Sequence, residues 1–418
     1  MQLKTKSIKG MTLALLMLIA AMAGCIGSED ETTEEEETKA AFLDASDAGY
    51  TYASNVDNHR SLMQDLCDIK TAASENNWAE AKSIYTEGKN AEKSDGSFRT
   101  LAGFAAAEGK NHNYDTFYNQ TGAIGAHIMH AMDGTGDFEG ASDTVRYQGI
   151  AKLTANMGMV GYTIHELNAA VAKADAGNTD NDSGAPHNWD EGWAFFHGPD
   201  EHWSCSPAYT MKKRAADYGT ETDGVSNALS ASEQAMVDGL AALQAGDKTA
   251  YDAATETVVK NIIITYSQAT LKYTMKMDSN ESAAKYQAEG YAFWKTMEAY
   301  AAPYTDGCYN MAVHKVFMMG DIDASTCDAF MWTQHQGQGD YMCYNTVTHQ
   351  VSTDVSNETE CDGYAAAYFQ DMYGADKINE ILNLRDACKH GTSYDIAPHL
   401  ERVWAHYGIT ADDIGTYA

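Results

Sequence analysis

Between residues 187 and 198 the chain reads His-Asn-Trp-Asp-Glu-Gly-Trp-Ala-Phe-Phe-His-Gly, two carboxylates and four aromatics enclosed by histidines. On a helix Asp190 and His197 are seven positions apart and share a face, with the small Ala194 between them. A second set, Tyr162, His165 and Glu166, clusters at i, i+3 and i+4. Two facing helices that each offer a carboxylate and an imidazole make the layout of a metal site inside a helical bundle. The competing reading puts Asp190 and Glu191 in a first helical turn, where the dipole favours negative charge. His127 and His130, one turn apart, could grip one ion or simply mark a helix C-terminus. His202 and His335 fall in expected surface loops without identifiable partners.

The elements that must carry these groups read as helices. Ile150, Leu153, Met157, Val160, Ile164, Leu167 and Val171 recur at alternating spacings of 3 and 4, one apolar stripe. Ile262, Tyr266, Ala269, Tyr273 and Met277 form another, and no proline occurs from residue 41 to 185. The two regions also align. Tyr162-Thr163 matches Tyr273-Thr274, and Glu191 and Phe195 match Glu289 and Phe293 once the turn-rich segment 176–188 is treated as an insertion. In the second copy Lys276 stands for His165, Met277 for Glu166, Ala288 for Asp190 and Lys295 for His197. Shared residues such as Glu191 then read as structural, and those unique to the first copy as candidate ligands. The expectation is an all-α helical bundle with an internal duplication, residues 41–205 and 206–305, followed by a Cys-containing, loop-rich region at 306–418.

The N-terminus sets the compartment. Three lysines, an apolar run and Cys25 behind Ala-Gly read as an export signal over 1–24 of the lipoprotein type, with Cys25 the lipid anchor. An acidic, like-charged stretch over 25–40 reads as an extended stalk. The net charge of −32 disfavours nucleic acid and anionic lipid. Seven further cysteines, none in a Cys-x-x-Cys pair, predict disulfides, with a bridged region between 308 and 361 and an odd cysteine left over. Asn119, Asn181, Asn280 and Asn357 each open a glycosylation sequon.

Hydrolase and nucleotide signatures are absent: His-Glu-Leu-Asn-Ala at 165–169 lacks the second zinc-binding histidine, and no phosphate loop or dinucleotide fingerprint occurs. Two stretches, Ala-Lys-Ser-Ile-Tyr-Thr-Glu-Gly-Lys-Asn through Arg-Thr-Leu-Ala-Gly-Phe-Ala-Ala at 81–106 and Asp-Glu-Gly-Trp-Ala-Phe-Phe-His-Gly at 190–198, resemble the iron-assimilating, high-CO2-induced periplasmic proteins of green algae. That group is related to the phytotransferrins. The resemblance spans roughly residues 65–305, leaves the Cys-rich C-terminal region out, and lacks the His-x-x-Glu motif of the wider imelysin-like group. It implies a helical fold and extracellular capture of ferric iron with carbonate as a co-bound anion. Motif by motif, it adds Tyr85, Glu87, Asp190 and Glu191 as metal candidates and Arg99 as an anion holder. Ferric iron favours oxygen donors, which 25 tyrosines and an acidic chain can supply. For Tyr85 a core position with a satisfied hydroxyl is the competing reading. The expected protein is a lipid-anchored binding protein at the cell surface or in the periplasm that passes its ion to a membrane transporter. The rivals are an extracellular, peptidase-like metalloenzyme and a structural surface protein.

Overall fold

The computed structural model describes residues 46–106, 113–279, 281–320, 322–334, 340–386, 389 and 391–417. Cys25, the stretches 1–24 and 25–40, Asn280, His335 and Cys388 lie outside the described residues. The described chain is mostly helical and forms two compact units, residues 302–374 and the remainder. None of its helices is long and apolar enough to cross a membrane.

The helical unit opens on a small hairpin, β1 (Ser46–Asp47) and β2 (Tyr50–Thr51). Helices α1 (Asp57–Ser74), α2 (Trp78–Glu87), α3 (Leu101–Ala105), α4 (Asn113–Tyr118) and α5 (Ala123–Asp133) follow. Next, α6 (Asp143–Lys152) runs through a π-helical stretch, Leu153–Gly158, into α7 (Met159–Asp175). Then come α8 (Ala185–Phe196), α9 (Pro207–Tyr218), the hairpin β3 (Glu221–Thr222) and β4 (Val225–Ser226), α10 (Asn227–Ala245), α11 (Lys248–Met275) and α12 (Ala283–Met297). The punctuation is local. Ser142, Ser206, Ser226 and Asp247 each accept a backbone N–H of the helix they start, and Gly134, Gly219 and Gly246 end helices in the left-handed conformation.

The stripe from Ile150 to Val171 is buried throughout, and so are Thr154, Asn156, Thr163 and Glu166 on other faces. This helix runs through the middle of the unit, wider in burial than a single stripe implies. α7 packs on α8 and α11 on α12, the pairs whose sequences align. Any helical hairpin packs this way, so the packing is no demonstration of duplication.

Residues 302–374 are strands where loops were expected. β5 (Tyr304–Asn310), β6 (Lys315–Met319), helix α13 (Ala324–Cys327) and β7 (Phe330–Gln334) are followed by β8 (Tyr341–Asn345), β9 (Gln350–Ser352), α14 (Glu358–Cys361) and β10 (Tyr364–Gln370). All pairings are antiparallel, giving sheets of order β10-β5-β6 and β7-β8-β9. Disulfides Cys308–Cys327 and Cys343–Cys361 tie each hairpin to its short helix, and a third, Cys67–Cys205, ties α1 to the turn after α8. Cys343, Cys361, Val355 and Tyr364 form a small core with Phe317, Phe330 and Trp332 around it.

The chain then continues through α15 (Tyr373–Ile381), α16 (Ala397–His406) and α17 (Ala411–Ile414). From residue 375 on it belongs to the helical unit. Gln268 on α11 donates to Ile414 O, and Trp404 Nε1 donates to Ser267 Oγ.

Candidate metal centre

α8 starts at Ala185 with Pro186 in its first turn. Asp190 and Glu191 therefore sit in the second turn, and the dipole reading of these carboxylates is overturned. The helix is one and a half turns further along than its acids alone indicate, because Asn178 and Asp180 fold segment 178–184 into a turn: Asp180 Oδ1 accepts the backbone N–H groups of Asp182 and Ser183.

This placement puts His187 and Glu191 on one face at i, i+4. His187 Nε2 lies 3.2 Å from Glu191 Oε1, and His59 Nε2, from the first turn of α1, lies 3.2 Å from the same oxygen. His59 is buried, and its ring meets Phe104 and Phe195 edge-on. On the other side of His187, Ser54 Oγ is 2.8 Å from Nδ1 and 2.9 Å from Asp190 Oδ2. A carboxylate only accepts, so the Ser54 proton points to Asp190 and the hydroxyl oxygen accepts from His187 Nδ1–H. His187 thus has its Nδ1 fixed as a donor and its Nε2 aimed at Glu191. Burial opposes the charge on this ring, but the bond to Glu191 and the nearby charges of Glu191 and Asp190 raise it above the ordinary imidazole value.

Asp190 is fully buried and accepts from Tyr50 O–H at 2.7 Å, Ser54 N–H at 2.8 Å and Ser54 O–H. Burial pushes its carboxyl up to about 6 in spite of these bonds. Its oxygens anchor the β2 hairpin to α8. His197 takes other partners: it stacks between Trp193 and Trp203, and its Nδ1 lies 2.8 Å from Gly198 O. The structure does not converge Asp190 and His197 on one point.

On α7, Glu166 is buried and accepts Asn188 Nδ2 at 2.6 Å, with His165 Nε2 3.9 Å from its other oxygen. Asn188 is the neighbour of His187, so α7 brings this pair alongside the α8 cluster. Tyr162 donates to Leu101 O at 2.8 Å and packs on Phe104 and Phe195. Phe104 also lies under the Arg99 guanidinium, 5.9 Å from ring centre to carbon, and Arg99 Nε is buried without a partner among the described residues. Arg99, Tyr162 and His59 are therefore grouped around one ring.

Tyr85, on α2, meets Tyr162 hydroxyl to hydroxyl at the edge of this group, and burial raises both phenols above the ordinary value. Glu87 is exposed and accepts from Ser83 one turn back. Of the paired histidines, His130 lies in the last turn of α5, and His127 donates from Nδ1 to Ala123 O.

Among the described residues no group of three or more His, Cys, Asp or Glu side chains is placed to hold a metal ion. What is assembled is two imidazoles on one carboxylate oxygen. His59 and His187 were both missed from sequence. His187 had a signal, its i, i+4 spacing to Glu191; His59 stands alone in Asp-Asn-His-Arg and had none.

A family model described as low iron-inducible periplasmic protein (Fea1) matches residues 15–314. The chain belongs to this family. Searches of curated proteins and of solved structures return no match. The Fea1 match takes in every candidate donor described above, from His59 to His197, and stops within the strand unit. The resemblance noted in the algal motifs and this match agree on an iron-related, periplasmic family.

Proposed function

We propose that this protein captures ferric iron outside the cytoplasm, with His59, His187 and Glu191 as the first donors and His165, Glu166 and Tyr162 at their edge. The observation that carries the reading is the pair of 3.2 Å separations on Glu191 Oε1. Two donors with bonds of about 2.1 Å to one ion stand about 3.0 Å apart at a right angle and about 3.4 Å apart at a tetrahedral angle. An ion entering here displaces a proton from each Nε2, while Nδ1–H of His187 goes on donating to Ser54 and holds the ring in place.

Two imidazoles alone suit a softer ion than Fe3+, so hardness must come from oxygen. Glu191 supplies one donor. Carbonate held by the Arg99 guanidinium, whose Nε is buried without a partner among the described residues, supplies others, since a planar fork matches that anion. The reading is of binding and delivery rather than turnover, with Cys25 as a lipid anchor, 25–40 as a stalk and a membrane transporter as recipient.

Ferric citrate titration with and without bicarbonate tests it. Changes in second-shell partners lower metal affinity about 10–100-fold, so Glu191→Gln, which removes a ligand, is expected to exceed about 100-fold. Arg99→Gln is expected to abolish the bicarbonate dependence. Unchanged affinity in folded Glu191→Gln overturns the assignment.

A further inference from the structure

The far end of α8 borders a pocket of about 280 Å³. Two hairpin turns frame it, through Ala48 between β1 and β2 and Gly224 between β3 and β4. Drug-sized ligands occupy about 300–1,000 Å³, so this space suits a small metabolite rather than a nucleotide.

Its lining carries both signs of charge without letting them meet. Lys212, from α9, lays its Nζ 5.2 Å from the centre of the Trp203 ring, and Trp203 in turn stacks on His197 at 5.6 Å. Lying over a ring face leaves an ammonium its three hydrogen-bond donors. Lys212 makes no hydrogen bond or ion pair among the described residues, although Asp200 and Glu233 line the same pocket. Asp200 Oδ1 accepts Ala48 N–H at 3.1 Å, and Glu233, from α10, receives no hydrogen bond among the described residues. Burial, with the charge of Asp200, pushes the Glu233 carboxyl up to about 7. His197 adds an acceptor. Gly198 O only accepts, so Nδ1 carries the proton of the neutral ring and Nε2 faces Glu233 Oε1 at 3.9 Å, beyond hydrogen-bond distance.

A lysine and two carboxyls that share a space and do not pair keep their capacity for a ligand with both charges on one small frame. An ammonium nitrogen about 2.9 Å from each of two acceptors 3.9 Å apart sees them about 85° apart. Two of its N–H bonds reach both with a bend of about 12° each, within the range of good hydrogen bonds. Trp203, Val225 and Leu229 leave apolar surface for the rest of the ligand.

We propose that this pocket binds a small α-amino acid with an aliphatic side chain. Its carboxylate sits on Lys212 Nζ, its ammonium between Glu233 Oε1 and His197 Nε2 with Asp200 as a further negative charge, and its side chain on Trp203, Val225 and Leu229. The site shares no residue with the proposed ferric centre and stands independently of it.

The test titrates the full chain by calorimetry with L-leucine, with isocaproate, which lacks the ammonium, and with isoamylamine, which lacks the carboxylate. Lys212→Met, Glu233→Gln and Glu191→Gln are run beside the parent. Lys212 is exposed and Glu233→Gln is nearly isosteric, so both variants are expected to keep the parent's circular dichroism spectrum. The expected result is one equivalent of leucine, with affinity about 10–100-fold lower in Lys212→Met and in Glu233→Gln, and lower by a similar factor for either truncated ligand. Glu191→Gln is expected to bind leucine as the parent does. No leucine binding, equal binding of isoamylamine or isocaproate, or unchanged affinity in either pocket variant overturns the site. Leucine binding lost in Glu191→Gln overturns it as well, and none of these outcomes bears on the ferric reading.

Discussion

Asp190 commits its oxygens to Tyr50 and Ser54, while the adjacent Glu191 gathers two imidazoles on a single oxygen. Substitution should therefore separate stability from binding at neighbouring positions. Asp190→Ala leaves a buried hydroxyl and a backbone N–H unpaired and is expected to cost about 3 kcal/mol in urea unfolding. Glu191→Gln is expected to lower iron affinity with a much smaller change in stability. The pH dependence of Asp190 follows from its carboxyl lying at about 6 when folded against an ordinary 3.8. The folded chain takes up this proton first, so the contribution is present in full below 3.8 and is lost as pH rises through about 6. The difference limits it to about 3 kcal/mol. Wild type is expected to gain on Asp190→Asn by up to that amount as pH falls from about 7.5 to about 4. A stability difference that is flat with pH would contradict the burial argument.

At the scale of elements, the α6–α7 helix shows how much patterning reveals. Its apolar stripe was legible because burial selects side chains at helical spacing. The π-helical stretch inside it was not, because polar side chains set it. Thr154 Oγ1 bonds Ile150 O and Asn156 Nδ2 bonds Lys152 O, each competing for a carbonyl one turn back. Asn156 Oδ1 then accepts from Thr210 and Tyr266, on α9 and α11, partners that no local spacing encodes. The metal centre has the same logic: the α8 residues were visible as a motif, whereas His59 arrives on α1 through tertiary packing. Cys67–Cys205, 138 residues apart, holds α1 near the end of α8. Replacing both cysteines with serine is expected to lower stability by about 2–5 kcal/mol. Because His59 and Glu191 come from the two tethered elements, iron affinity should fall too. An affinity unchanged in the folded double variant would show that core packing alone sets the His59 position.

Across the whole molecule, the strand unit is built from two like halves that trade their last strands. Each half begins Cys-Tyr-Asn-x-x-x-His, at 308–314 and 343–349. In each, the asparagine carbonyl caps the turn, accepting from residues two and three ahead, and the tyrosine hydroxyl meets the histidine Nδ1. β7 leaves the first half to pair with β8, and β10 leaves the second to pair with β5. That repeat stood in the sequence as two Cys-bracketed segments, but turn-forming Asn and His residues there mimic loops. The exchange brings the ends of the unit together: Asp371 N–H donates to Pro303 O at 3.0 Å, and Tyr304 pairs with Gln370. An insertion with adjoining ends can be removed without pulling its host apart. Replacing 304–370 by a short Gly-Ser linker is expected to leave a folded helical unit with unchanged iron affinity, because every proposed donor lies before residue 302. Cutting the chain after 305 instead removes buried Ile378, Leu382, Ile396, Leu400 and Val403 along with the strands. That truncation is expected to unfold at a much lower temperature than the linker variant, and equal melting of the two would show that α15–α17 add nothing to the helical core.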